Sequence, residues 1–258
     1  MANYAGANFA SASGSFTPLS GGVAVPALLV DDIASGQLPI GFTFYYMGTA
    51  YTQVRAGSDG YLSLGTTGSS VTNALSSGVA VERPVIAPFW DDMDGRATGA
   101  AASYLTSGSP GSRVFTFGWL NWARTGGSAP VMSFQAKLFE STGVIQFVYR
   151  SEITALSGAT VSIGLSAVAT GSGNFVSLNN AGTSPTTSTT SETTSISTKP
   201  VTGQSYTFTP PQAAVTNPTA LTFTAVTAGS TTVNWTDNST NETSFNVFRS
   251  SDGGVTYS

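Results

Sequence analysis

Three of the chain's thirteen acidic residues, Asp91, Asp92 and Asp94, fall within four positions just ahead of Gly95. Carboxylates this close repel one another unless a cation or hydrogen-bond donors compensate, and hard oxygen ligands suit Ca²⁺. Two readings stay open: a calcium site at Asp91, Asp92 and Asp94, or a solvated turn after a strand, held by backbone N–H groups. The spacing lacks the full ligand set of an EF-hand loop. Glycoside hydrolysis would need two carboxyls roughly 5–9.5 Å apart across a cleft. Asp92 with Glu140 or Glu152 supplies the pair arithmetically, but nothing in the spacing makes them converge. A Ser/Lys dyad has only Lys137 and Lys199 to draw on, and Lys137 sits mid-strand opposite the face of Phe134 and Leu138. With no His and no Cys, a Ser-His-Asp triad, a Cys nucleophile, a zinc site of His/Cys type and a disulfide framework are all excluded. The expectation is a non-enzyme without an obligatory cofactor, calcium being the one candidate.

Aromatic side chains offer a second chemistry, the stacking of a ring on the apolar face of a sugar. Trp90, Trp119, Trp122 and Tyr104 are the candidates, and core packing is the competing role for each. Trp119 shares the period of Phe115 and Phe117 and belongs to the core. Trp122 falls on the opposite parity, so Trp122 and Tyr104 are the expected glycan-contacting residues. Nine basic against thirteen acidic residues leave no footprint for nucleic acid. No apolar run approaches the roughly 20 residues of a membrane span; the longest, residues 23–30, is broken by Pro26 and followed by Asp31-Asp32.

The elements that must position these groups are strands. Apolar residues recur every second position in residues 41–47, 113–121, 132–139, 144–150 and 160–166, in short β-branched and aromatic runs bounded by Gly, Ser, Pro or Asn. Glu140-Ser141-Thr142-Gly143 reads as a hairpin turn. Such alternation buries one face of each strand and wets the other, which predicts an all-β antiparallel sandwich of jelly-roll kind. Charged residues are 9%, while Ser and Thr number 36 and 37, so hydroxyls make most of the polar surface. That composition, without Cys, points to an exported, bacterial-type extracellular protein. Residues 1–6 carry no signal-peptide pattern, which reads as a mature chain.

Residues 183–198, TSPTTSTTSETTSIST, hold one apolar residue, Ile196, and are expected as an exposed loop or tether, open to O-linked sugar. Residues 204–209 alternate again and are taken as the last strand of a first domain, 1–211. A proline-bearing linker, 212–218, leads to a second unit, 219–258. Three Asn-x-Ser/Thr matches at Asn234, Asn238 and Asn241 are read as chance in so hydroxyl-rich a chain.

The stretch containing Asn8, Phe9, Phe16 and Leu19 alternates weakly among Ala, Ser and Gly. It reads either as an ordinary first strand or as a strand donated to the open sheet edge of a neighbouring copy. Few charges guard the strands, and natural monomers use charge to block edge pairing.

Two resemblances follow from particular residues. Ile40-Gly41-Phe42-Thr43-Phe44, Gly57-Ser58-Asp59-Gly60-Tyr61-Leu62-Ser63-Leu64-Gly65, Val85-Ile86-Ala87-Pro88-Phe89-Trp90-Asp91-Asp92-Met93-Asp94 and the pair of runs around Phe134 and Phe147 together resemble nidogen-like β-sandwich domains of large secreted bacterial surface proteins. Thr232-Val233-Asn234-Trp235-Thr236-Asp237 followed by Phe245-Asn246-Val247-Phe248 resembles the opening strands of a fibronectin type III module, with Trp235 as its core residue. Only about forty residues of a sandwich that runs to roughly 100 are present. The resemblance implies adhesion or appendage building rather than catalysis. The expectation is therefore an extracellular structural or adhesive protein that pairs with other copies of itself. The alternative is a carbohydrate-binding module of a larger secreted hydrolase.

Overall fold

The period-two runs form sheets in the computed structural model, which describes residues 7–65, 72–78, 82–211, 217–239, 245 and 247–256. The signal-peptide reading of residues 1–6, most of the linker 212–218 and the Asn241 sequon lie outside the described residues. By internal contacts the chain divides into two units, Met1–Pro211 and Gln212–Ser258.

In the first unit the strands begin with β1 (Asn8–Ser13), β2 (Val23–Ala24), β3 (Leu38–Tyr46), β4 (Thr49–Ala56) and β5 (Leu62–Ser63). They continue with β6 (Val85–Trp90), β7 (Met93–Asp94), β8 (Ala101–Ser107), β9 (Val114–Arg124) and β10 (Met132–Phe139). The last are β11 (Ile145–Ser151), β12 (Ser162–Ser166), β13 (Phe175–Leu178), β14 (Thr187–Ser188) and β15 (Gln204–Thr209). One sheet runs β1-β15-β11-β10-β9-β8-β2, with β7 added beside β9; the other runs β14-β13-β12-β6-β5-β4-β3. Every ladder is antiparallel, so the fold is an all-β sandwich.

The shared core explains the alternation. On β3, Leu38, Ile40, Phe42, Phe44 and Tyr46 are buried while the residues between them are exposed. They meet Phe115, Phe117, Trp119, Phe134, Phe147 and Phe208 of the facing sheet in one cluster. Phe89 of one sheet lies 5.7 Å from Phe134 of the other, ring centroid to ring centroid, and Trp119 stacks on Phe134 at 4.9 Å. The hairpin expected at residues 140–143 joins β10 to β11, closed by Phe139 N–H to Val144 O at 3.0 Å.

β6 departs from simple alternation because both its faces are covered. Ile86 and Phe89 enter the main core, whereas Val85, Ala87 and Trp90 join Tyr61, Leu75 and Phe175 in a smaller one on the outer face. Pro88 has no N–H to give a ladder, and the β6–β12 register slips across it, pairing Ala87 with Gly164 but Trp90 with Ser162.

The Ser/Thr-rich segment 183–198 is largely exposed, yet it is fastened rather than tethered. β14 pairs with β13, Ile196 is buried and exchanges two backbone hydrogen bonds with Val161, and Glu192 accepts from the N–H groups of Leu75 and Ser76. Ile196 thus joins the main core beside Val161, and Glu192 ties the segment to Leu75 of the outer one.

The second unit contributes one hairpin among its described residues, β16 (Thr219–Thr224) against β17 (Thr232–Thr236). Trp235 packs on Phe245 at 5.3 Å, while Leu221, Phe223, Val247 and Phe248 stay exposed.

Candidate functional site

The site is built where three turns meet. A short 3₁₀ turn at Pro26–Leu28 leads into Asp31 and Asp32. Asp59 occupies the turn between β4 and β5, and Asp91 and Asp92 leave the end of β6. One carboxylate oxygen from each of Asp31, Asp32, Asp59 and Asp92 lies within 4.8 Å of the others.

Two glycines let the backbones come this close. Gly60 has φ +83°, and a Cβ there would sit 2.1 Å from the carbonyl oxygen of Phe89; Phe89 N–H in turn donates to Gly60 O at 3.3 Å. The Pro88 slip frees that N–H from the β12 ladder and steers the end of β6 toward Asp59. At Gly95 a Cβ would lie 2.0 Å from the carbonyl oxygen of Leu28, which seats the Asp31-Asp32 segment. The turn at Ser58 is pinned from several sides. Its N–H donates to Ile33 O at 2.8 Å, its hydroxyl accepts from Ile33 N–H at 2.9 Å, and its carbonyl accepts from the Trp122 indole at 2.6 Å. Asp91 N–H donates to Asp59 O at 3.2 Å, and Thr125 N–H to Asp92 O at 3.0 Å.

Charge around the cluster is unbalanced. Arg96 forms ion pairs with Asp94 at 2.6 Å and Asp31 at 2.8 Å, and Arg124 pairs with Asp91 at 3.2 Å. Among the described residues Asp32, Asp59 and Asp92 form no ion pair. Asp59 is fully buried; its Oδ2 has no hydrogen-bond partner, and neither does Asp31 Oδ1. Burial, and then the charges of Asp32, Asp92 and Asp31, push the Asp59 carboxyl up to about 8. Burial first, then neighbouring aspartates, also raises Asp31 and Asp92.

The acidic triplet expected as one calcium site is divided. Asp92 enters the cluster, whereas Asp91 is bound by Arg124 and by the N–H and hydroxyl of Thr160, and Asp94 is clasped by Arg96 through both oxygens. Successive residues in the turn point apart, and guanidinium groups have taken two of the three. Asp31, Asp32 and Asp59 were missed because no spacing in the sequence says that turns so far apart in the chain converge.

Trp122 is corrected from an exposed stacking residue to a core residue, with 0% of its surface accessible. The cause is a bulge: Asn121 has φ +55°, and the β9–β10 register slips between Trp119–Phe134 and Trp122–Met132. One extra residue reverses parity, turning Trp122 inward. Tyr104 is half-buried, its ring 5.9 Å from that of Phe115. Glu140 and Glu152 do not join Asp92. Glu140 is held by Arg113 at 2.6 Å and kept down at about 2 chiefly by that bond, and Glu152 pairs with Arg150 at 2.7 Å. The Lys199 ammonium donates to the carbonyls of Val131, Glu152 and Thr154 at 3.2, 2.6 and 2.7 Å.

Of the residues read as a donated strand, Asn8 and Phe9 belong to β1, which pairs along its full length with β15 of the same chain, Asn8 opposite Thr209 and Ser13 opposite Gln204. Phe9 packs on Tyr206 and Phe208 at 5.9 and 5.3 Å. Phe16 and Leu19 lie past the strand, Phe16 under the Arg150 guanidinium at 5.4 Å and Leu19 against Gly118.

A family model described as NIDO related matches residues 6–210, and the chain belongs to that family. Neither the curated proteins nor the solved structures give a match.

Proposed function

We propose that this member of the NIDO related family is an extracellular structural and adhesive protein that joins other copies of itself along an open strand edge, and that it is not an enzyme. The observation that carries this reading is β1. It ends its sheet, so one side of Asn8–Ser13 pairs with β15 and the other has no ladder partner among the described residues. Its sequence, NFASAS, holds no charge and no proline, two of the devices that blunt such an edge. The long edge strand of the other sheet is defended by contrast. β3 carries Pro39, and its Ile40 and Gly41 carbonyls accept from the Thr106 hydroxyl and the Arg113 guanidinium. An undefended edge supplies main-chain hydrogen bonds to an incoming strand.

The non-enzymatic reading is supported by the fate of the ionisable groups. Glu140 and Glu152 are held by Arg113 and Arg150, and the Lys199 ammonium by three backbone carbonyls, so each is engaged by a structural partner. The second unit is read as the opening hairpin of a fibronectin type III module, with Trp235 on its second strand. The chain as a whole is read as part of a bacterial surface protein, in keeping with its hydroxyl-rich, Cys-free composition.

Sedimentation velocity over a concentration series, with negative-stain microscopy of the densest sample, tests the assembly. Ala10 and Ala12 project outward from β1. The Ala10→Lys/Ala12→Lys double variant should stay monomeric where the parent associates. A parent that remains monodisperse at the highest concentration would overturn the reading.

A further inference from the structure

We propose that Asp31, Asp32, Asp59 and Asp92 bind one calcium ion that fastens the three turns carrying them. Calcium–oxygen bonds run 2.3–2.6 Å, so oxygens around one ion stand at most about 5 Å apart. The four carboxylate oxygens, mutually within 4.8 Å, already satisfy that limit. The observation that separates this cluster from an ordinary acidic turn is Asp59. Its side chain is completely buried, yet Oδ2 receives no hydrogen bond, and Asp31 Oδ1, on another carboxylate of the cluster, is also buried and without a donor. Buried acceptors are almost always satisfied, and an orphaned carboxylate oxygen is costly. Here the missing partner is a cation, because the two arginines within reach are already taken on other oxygens: Arg96 by Asp94 and Asp31 Oδ2, Arg124 by Asp91.

Ligand chemistry selects the ion. An all-oxygen, carboxylate-rich set with no imidazole or thiolate disfavours zinc. Four protein ligands from three separate turns, Asp32 exposed and Asp31 and Asp92 partly exposed so that water is admitted, suit the flexible 6–8-fold shell of calcium. Magnesium holds a tight octahedron and keeps several of its waters, so it seldom takes a full cage of protein carboxylates. The consequence is mechanical. The ion would join the segment before β3, the β4–β5 turn and the end of β6, so that one end of the sandwich stiffens when calcium is present. This assignment does not depend on edge pairing by β1.

The test is calorimetric titration of chelator-treated full chain with CaCl₂ and MgCl₂, alongside thermal melts. Calcium should bind with one-to-one stoichiometry and raise the melting temperature by about 5–10 °C at a hundredfold excess over its dissociation constant. Magnesium should do markedly less. Asp59→Asn and Asp92→Asn should lose the calcium shift, and Asp59→Asn in chelator should melt no lower than the parent, which separates loss of a ligand from loss of fold. Asp94→Asn, at a carboxylate held by Arg96, should keep the shift. No heat and no shift with calcium, or an undiminished shift in Asp59→Asn, would overturn the site; equal responses to the two ions would overturn calcium as its occupant.

Discussion

Replacing Gly60 by Ala should be among the most damaging single-methyl additions the first unit can suffer. The cost has two sources. At φ +83° an L side chain enters the left-handed region, which costs roughly 1–2 kcal/mol. The new Cβ would also stand 2.1 Å from Phe89 O and 3.1 Å from the Phe134 ring. Relief means driving the β4–β5 turn and β6 apart by about an ångström, at the point where Phe89 and Phe134 are both fully buried. Overpacking of this kind costs about 1–3 kcal/mol, for a total of about 2–5 kcal/mol against a typical domain stability of about 5–15 kcal/mol. Urea unfolding followed by tryptophan fluorescence reads the change directly, since Trp90, Trp119 and Trp122 are all buried. Gly36→Ala is the matched control. A Cβ at Gly36 meets nothing within 4 Å and the backbone there is not left-handed, so its change should stay within about 0.5 kcal/mol. If Gly60→Ala were as mild as Gly36→Ala, the close approach of the two turns would be wrong.

Two further outcomes follow from buried and paired charges. Arg83 is 4% exposed and donates to the carbonyls of Leu75, Ser77, Val168 and Ala169, so Arg83→Met should cost about 2–4 kcal/mol in denaturant unfolding by leaving those oxygens without donors; a neutral result would mean that the outer core does not depend on it. Arg113 holds the Glu140 carboxyl at about 2, below its ordinary 4.5, so the pair's contribution is complete above pH 4.5 and is lost as pH falls through about 2. The stability gap between the parent and Glu140→Gln, followed by thermal melts, should therefore be flat near neutrality and shrink toward pH 2, and a gap that does not change with pH would contradict the pairing.

Much of the sandwich was legible in alternation because strands such as β3 and β15 keep one face wetter than the other. Phe42, Phe44 and Tyr46, or Phe115, Phe117 and Trp119, sort onto one side with no knowledge of their partners. Where the backbone slips, the same arithmetic fails. Asn121 adds one residue to β9, and Trp122, outward by count, is buried and bonded to Ser58 O. Along residues 183–198 composition carried part of the answer. The tract reads as an exposed loop or tether, and it is largely exposed, but Glu192 and Ile196 fasten it over Leu75 and Val161. The carboxylate cluster was half visible. Asp92 stood out through its neighbours Asp91 and Asp94, which arginines claim, while its actual companions Asp31, Asp32 and Asp59 are brought in by tertiary contacts at Gly60 and Gly95. Those contacts have no signature in local spacing.

Hydrogen exchange of the intact chain at low and high protein concentration interrogates the proposed assembly edge most directly. Half of the β1 amides already face β15, and the other half face outward with no ladder partner among the described residues. Assembly through this edge predicts that the outward amides of Asn8–Ser13 gain protection as concentration rises, and that Ala10→Lys/Ala12→Lys abolishes the gain while the rest of the first unit exchanges as before. Identical protection of β1 at both concentrations would contradict it.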